Sequence, residues 1–259
     1  MPDLILTSVD GNIATLTLNN PERRNALTLA AWRDLLQAVR ALDADDDLRC
    51  IIIRGAGDEA FAAGADISEF PDVRSNAAQA RDYGEVVAAA LDALVQCRHP
   101  TIAMVLGACT GGGFEIACCC DIRISGQSGR FGVPINRLGH AFAFPELLPA
   151  LAAFGRGLVL ELLLEGRILD ADEAERRGLV NRVVPDTDVV AETRVAAERI
   201  AAGAPLAARA TKKNINRLAD AAALTSEEIE QSYVLCDSED YAEGVRAFLE
   251  KRKPKFQGR

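Results

Sequence analysis

A run of glycines directly precedes a lone carboxylate in the segment GACTGGGFEIACCCD, residues 107–121. The apolar residues around Glu115 predict a helix over 112–119, whose first amides would have no acceptor within the helix. Glycines let such a backbone corner approach a ligand closely, so Gly112 could donate to an oxyanion with Glu115 one turn further along. That pairing suits proton transfer beside a polarised carbonyl. Close helix packing and a favourable helix dipole would give the same pattern.

A second loop of small residues, EAFAAGADISEF at 59–70, follows the predicted strand CIIIRG at 50–55 and can also bring its backbone against a ligand. Other familiar catalytic patterns are missing from the sequence. The two histidines, His99 and His140, stand in no H-E-x-x-H pattern, and no G-x-S-x-G occurs, which argues against zinc proteases and serine hydrolases. The dinucleotide fingerprint and the phosphate loop are absent too, which argues against NAD-dependent and nucleotide-hydrolysing enzymes.

Composition and charge fit a globular protein that binds no nucleic acid. The chain has 259 residues, of which 49% are hydrophobic, and a formal net charge of −9, which repels phosphate backbones. Seven cysteines follow no disulfide or metal-ligand spacing, so we expect a reducing compartment, packing roles for the thiols and no metal site. The N-terminus has no signal-peptide pattern and no apolar run reaches the roughly 18 residues of a membrane span. We expect a cytoplasmic protein.

The closing stretch EKRKPKFQGR is locally basic in this acidic chain. Its cations, Lys251 among them, could contact a small polyphosphate, or they could form a solvated tail.

The order of the predicted elements indicates an α/β fold with a parallel sheet. Two alternating strands flank Asp10-Gly11-Asn12, which predicts a hairpin, and Thr28 is positioned to cap the helix that follows. Buried strands at 50–55, 101–107 and 121–126 alternate with helices at 77–97 and 112–119, as in parallel sheets. Beyond Pro145 the pattern is mostly helical, with a short strand at 179–184. We expect helices at 186–203, 206–222 and 226–249.

Several motifs together resemble the enoyl-CoA hydratase/isomerase family, the crotonase superfamily. They are NPERRNALT, FAAGADI (61–67), GGGFEIACCCDIRIS (111–125), FGVPINRLG (131–139), EGRILDADEAERRGLVNRVVP and SEDYAEGVRAFLEKRKPKF. The resemblance spans nearly the whole chain and implies repeated ββα units around a parallel-sheet core. It also implies a core over residues 1–200, a helical C-terminal trimerisation region over 201–259, and a homotrimer or a dimer of trimers.

The resemblance further implies an acyl-CoA thioester substrate and no separate cofactor, since coenzyme A is part of the substrate. By motif, the two amides that hold the thioester oxygen fall on Ala65 and Gly112, and Glu115 matches a catalytic glutamate. The family's CoA-binding positions correspond to Ala63, Ala65, Asp66, Ile67 and Ser68, and the basic C-terminal helix to the region of Lys251.

One departure from the family bears on the reaction. Hydratases of the family hold water with a second glutamate after Gly-x-Pro, and this chain has Ile135 there, which cannot transfer a proton. His140 lies five residues beyond and could replace that carboxylate, or could simply pack between phenylalanines. Glu146 follows Pro145, a combination typical of an ordinary helix start.

Three hypotheses remain open at this point. The first is a hydratase in which Glu115 is the acid/base. The second is another acyl-CoA reaction on the same scaffold, double-bond isomerisation or decarboxylation. The third is an acyl-CoA-binding subunit without activity. The retained amide positions and Glu115 favour the first two.

Overall fold

A computed structural model describes residues 3–139, 141–218, 222, 224–231 and 234–259 of the protein. The strands are β1 Ile5–Asp10, β2 Ile13–Leu18, β3 Cys50–Gly55, β4 Ala60–Ala62, β5 Thr101–Val105, β6 Ala108–Thr110, β7 Ile122–Gly126, β8 Arg130–Gly132, β9 Ile168–Asp170 and β10 Arg182–Val184. The α-helices are α1 Leu29–Asp43, α2 Phe70–Val73, α3 Ala77–Gln96, α4 Gly112–Cys119, α5 Phe144–Glu165, α6 Ala171–Arg176, α7 Val189–Ala201, α8 Pro205–Leu218, α9 Ser226–Gln231 and α10 Glu239–Leu249.

The larger sheet has the order β1-β2-β3-β5-β7-β10, and every pairing after the antiparallel β1–β2 hairpin is parallel. Successive residues of β3 pack on opposite faces of this sheet. Ile51 and Ile53 belong to the hydrophobic cluster that contains Trp32, whereas Ile52 belongs to the cluster that contains Val189. A sheet covered on both faces explains why its strands read as continuous apolar runs. The predicted α/β class, parallel sheet, hairpin and Thr28 cap are confirmed.

A second sheet, β4-β6-β8-β9, was not predicted from the sequence. Each of its strands has three residues, too few to show a hydrophobic period, and β4, β6 and β8 pair in parallel. Parallel strands bring their carboxyl ends to one edge, which is where ligand-binding loops of α/β sheets lie. This small sheet therefore aligns the starts of three loops.

The C-terminal region differs from the sequence prediction in one respect. The single helix expected over 226–249 is wrong, because α9 ends at Gln231, a 3₁₀ turn covers Val234–Asp237, and α10 starts at Glu239. The Ser238 side chain accepts a hydrogen bond from Tyr241 N, and this cap defines the new start. The region is tied to the core by Arg49, whose guanidinium donates to Ala201 O at 2.9 Å and to Phe256 O at 2.8 Å.

α5 is the one helix of the described chain with a composition that would allow a membrane crossing, since an 18-residue window has a mean hydropathy of 1.8 and is only 22% buried. The expectation that no apolar stretch reaches this length is wrong for α5. The helix is interrupted at Gly155, where φ is 72°. Near its end, Glu161 pairs with Arg167 and Arg177. The apolar length of α5 thus contains a backbone break and an ion-paired glutamate.

Candidate active site

Three loops leave the aligned ends of β4, β6 and β8 and meet around one cavity. Residues 63–65 follow β4, residues 111–112 follow β6, and residues 133–135 follow β8, and each loop contributes to the cavity wall. The first loop is fixed to the chain before α1 by backbone hydrogen bonds, from Leu27 N to Gly64 O at 2.8 Å and from Asp66 N to Leu27 O at 2.9 Å. The loop is thus held from both sides of Ala65.

The first two loops touch backbone to backbone at their glycines. Gly64 has φ of 106° and Gly111 has φ of 51°, in the region that favours glycine. A β-carbon on Gly64 would lie 3.1 Å from Thr110 O and 3.5 Å from Gly112 N. This close contact brings the amides that follow each glycine, those of Ala65 and Gly112, to the same cavity.

Gly112 and Gly113 also allow close helix packing, the alternative explanation for the glycine run. A β-carbon on Gly112 would lie 2.7 Å from Trp32 Cζ2, and one on Gly113 would lie 2.3 Å from Ala62 O. Glycine is therefore needed so that α4 can lie against α1 and β4. Close packing and the position of the Gly112 amide have the same cause, so neither interpretation excludes the other.

The amides of Ala65 and Gly112 have no hydrogen-bond acceptor in the part of the chain that the structure describes. Gly112 is the first residue of α4, where backbone N–H groups have no partner within the helix and carry partial positive charge. Two such donors beside one cavity can bind a carbonyl oxygen and stabilise negative charge that develops on it.

Glu115 lies in the first turn of α4, lines the same cavity and is 6% exposed. Burial, and then repulsion by Glu146, raise the pKa of its carboxyl well above the usual value, against a smaller opposite effect of Arg74. This shift favours the protonated carboxyl, which suits Glu115 to donate a proton to a bound ligand.

Glu146 also lines this cavity, which the sequence did not predict. It does begin a helix, as expected, because its Oε2 accepts a hydrogen bond from Ala143 N at 2.6 Å. It is nevertheless only 7% exposed, and burial raises the pKa of its carboxyl. The Pro-Glu start signal gave no indication of the cavity, since the same dipeptide starts ordinary surface helices.

Apart from Arg74 and Thr110, the remaining side chains of the cavity wall are apolar. The volume is about 140 Å³, below the roughly 300–1,000 Å³ of pockets that enclose whole drug-sized ligands. Ile135 is half-buried in this wall, where the sequence placed it. The apolar side chains that line the cavity are Ala63, Ala65, Ile67, Phe70, Val133, Pro134, Ile135, Leu138 and Phe142. Such a space fits the apolar end of a larger molecule.

Some predicted substrate-binding residues lie outside the cavity wall. Ala63, Ala65, Ile67 and Gly112 line it, but Asp66 instead pairs with Arg23 at 2.8 Å and accepts hydrogen bonds from Ser68, so it fixes the loop. Ser68 also accepts from Arg23 at 2.8 Å.

The two other predicted binding residues are Lys251 and His140. Lys251 is exposed beyond the end of α10 and does not line the cavity of its own chain. His140 lies outside the described residues.

The three adjacent cysteines pack in the core as predicted. Cys118 and Cys119 end α4, and Cys120 follows it. All three are buried, and burial raises the pKa of each thiol, that of Cys120 to about 12. The described residues include no group of three or more potential metal ligands. These thiols therefore serve as small apolar side chains.

Comparison with known proteins gives matches along the whole chain. A model of the enoyl-CoA hydratase/isomerase family matches residues 8–259. A crystal structure of an enoyl-CoA hydratase/carnithine racemase from Magnetospirillum magneticum superposes with a TM-score of 0.98 at 50% identity, covering 100% of this chain and 97% of that one.

Two enzymes named as hydratases are similar over most of their length. The short-chain-enoyl-CoA hydratase of Clostridium acetobutylicum is 33% identical over 254 residues, 96% of this chain and 95% of that protein. The crotonyl-CoA hydratase of Syntrophomonas wolfei is 35% identical over 256 residues, 97% of each chain. These matches confirm the resemblance seen in the motifs, and the chain belongs to the enoyl-CoA hydratase/isomerase family.

Proposed function

We propose that this protein is an enzyme of the enoyl-CoA hydratase type, which adds water across the double bond of a 2-enoyl-CoA thioester. One observation carries the proposal: two backbone amides without a protein acceptor, those of Ala65 and Gly112, share a cavity with the buried Glu115. The hydratase names of full-length relatives at 33% and 35% identity support the same reaction.

The amides supply the electrostatic part of the mechanism. When hydroxide adds at C3 of the enoyl group, electrons move to the thioester oxygen, which becomes an enolate. The Ala65 and Gly112 N–H groups would bind that oxygen and favour the enolate over the neutral thioester. Each such donor typically contributes about 10² to 10³ in rate.

Glu115 supplies the proton transfer. Its raised pKa favours the protonated carboxyl, so that it can give a proton to C2 of the enolate. The proton balance of hydration then requires a second group that takes a proton from water, which Ile135 cannot do.

The cavity favours a short acyl group. Its volume of about 140 Å³ leaves room for a few carbon atoms and no room for the nucleotide, which would extend along the loop over residues 63–68. Short-chain and crotonyl substrates in the names of two relatives are consistent with that size. We therefore propose four-carbon 2-enoyl-CoA as the first substrate to test, with no cofactor beyond its own coenzyme A.

We further propose a cytoplasmic homotrimer or dimer of trimers, in keeping with the family resemblance. Exposed apolar side chains on three helices support an assembled form, because an interface would remove them from water. They are Phe144, Leu148 and Leu164 on α5, Ile215 and Leu218 on α8, and Phe248 and Leu249 on α10. In such an assembly Lys251 could contact the coenzyme A bound to a neighbouring subunit.

A panel of thioesters tests the reaction. Purified protein is incubated with 2-enoyl-, 3-enoyl- and malonyl-type CoA thioesters, and the products are identified by mass spectrometry. We expect a gain of one water on the 2-enoyl substrate and loss of that activity in Glu115→Gln, with binding of the unreactive butyryl-CoA retained. A shifted double bond or released carbon dioxide would instead indicate isomerisation or decarboxylation. Tight binding without any product would indicate a binding subunit.

A further inference from the structure

We infer that Glu146 is the second acid/base of this site and replaces the carboxylate that the chain lacks at Ile135. The inference rests on the proposed hydration of a thioester. Among the described residues, Glu115 and Glu146 are the only carboxylates that line the cavity of the Ala65 and Gly112 amides. Glu146 lies eleven positions beyond Ile135 in the chain, at the start of α5 instead of the loop after β8.

The contacts of Glu146 leave one oxygen available to a ligand. Oε2 accepts the hydrogen bond from Ala143 N at 2.6 Å, which fixes the side chain relative to the helix start. Oε1 receives no hydrogen bond from the residues that the structure describes, and the same holds for both carboxyl oxygens of Glu115. Two carboxyl groups with open oxygens can hold a water between them and the substrate.

The surroundings favour different protonation of the two carboxyls. Burial raises the pKa of both, but the hydrogen bond from Ala143 N–H opposes this for Glu146, and repulsion between the pair raises the pKa of Glu115 further. Arg74, which follows α2, lowers both, and Tyr83 of α3 faces Glu115. One proton shared by the pair therefore lies mainly on Glu115 and leaves Glu146 as the base.

The assigned step is balanced. Glu146 takes a proton from the bound water, the hydroxide oxygen forms a bond to C3, and the π electrons move onto the thioester oxygen. As the enolate collapses, Glu115 gives its proton to C2. One water has been added, Glu146 has gained a proton and Glu115 has lost one, and exchange with solvent restores the starting state.

A purely structural role at the helix start does not explain the burial of the Glu146 carboxyl. A helix start needs only an acceptor for Ala143 N–H, and most such side chains remain in water. Glu146 is instead 7% exposed beside a second buried carboxyl, an arrangement that lowers stability and is typical of functional sites.

Glu146→Gln tests the inference, because glutamine keeps an oxygen for Ala143 N–H but cannot accept a proton. We expect kcat for crotonyl-CoA to fall by at least about 10²-fold, within the range for loss of a general base. The acidic limb of the pH profile of kcat should disappear, while butyryl-CoA binding stays close to wild type and the melting temperature does not fall. Glu165→Gln, the same change at the exposed end of α5, is the matched control and should have no effect.

Moving the carboxylate gives a second measurement. In Ile135→Glu combined with Glu146→Gln, the site regains a carboxylate at the position the family uses, and we expect both the rate and the acidic limb to return in part. If Glu146→Gln retains kcat within about threefold and an unchanged pH profile, the inference is wrong even though the enzyme is a hydratase. If the wild type converts no thioester, the proposed function itself fails, so the two failures are distinguishable.

Discussion

Replacing Gly112 by alanine tests whether its amide must lie where the fold puts it. The β-carbon would lie 2.7 Å from Trp32 Cζ2, whereas ordinary contact begins near 3.4 Å. Trp32 is 1% exposed and cannot move into free space. The start of α4 must therefore shift by about 0.7 Å if the indole stays in place.

A shift of that size removes a hydrogen bond. An amide about 2.9 Å from the thioester oxygen would lie about 3.6 Å away, beyond hydrogen-bond distance. We expect Gly112→Ala to lower kcat for crotonyl-CoA by about 10² to 10³, equal to about 2.7–4 kcal/mol of transition-state stabilisation. The rate is followed by loss of the enoyl absorbance, with butyryl-CoA binding measured separately.

Trp32→Phe provides the control, because the shorter side chain lacks the atom that meets the new β-carbon. We expect Gly112→Ala to lower kcat at least tenfold less in a Trp32→Phe background than it does in the wild type. Two results refute the reasoning. A folded Gly112→Ala variant with full kcat would show that this amide does not hold the oxygen. A double variant as slow as the single one would show that the contact with Trp32 is not the cause.

Three further predictions concern stability. In urea titrations, Glu115→Gln should raise the free energy of unfolding by more than about 1 kcal/mol at pH 8 and by less at pH 5. The pKa of Glu115 is raised in the folded state, so the wild type loses stability as the pH rises above the pKa of this group in the unfolded chain. His99 is buried, and burial is the main cause of its lowered pKa. Below about pH 6.5 the wild type should therefore lose up to about 1.4 kcal/mol of unfolding free energy per pH unit, because the unfolded chain binds the proton first. His99→Phe should not show this loss. Lys212→Met should lower the unfolding free energy by about 2 kcal/mol and leave kcat unchanged, because the partner Asp121, 2.9 Å away, is 30% exposed and can be hydrated, unlike a fully buried carboxylate.

The long elements could be predicted because their signals are local. Thr28 and the apolar spacing after it define α1, and the glycines before Phe114 define the start of α4 at Gly112. The small sheet could not be predicted in this way. Its three-residue strands form because distant segments pair, as when Cys109 aligns with Phe131, and no window of sequence contains that information.

The site was predictable to a different extent for each residue. Ala65 and Gly112 follow glycines, which allow a close backbone contact, and the motifs placed both at one ligand. Glu146 depends instead on the path of the chain between the end of β8 and the start of α5. That path decides whether a glutamate in the first helical turn points into a cavity or into water, and its local sequence is the same in both cases.

The proposed oxygen-binding amides and the proposed base, Glu146, are held by different parts of the fold. The amides are positioned by the ends of β4 and β6 and by the packing of Gly112 on Trp32, where a β-carbon does not fit. Glu146 lies on α5, which is not part of the small sheet. In the proposed mechanism, the carboxylate that the family has at Ile135 is supplied at Glu146, and neither position takes part in the backbone contact of Gly64 with Gly112.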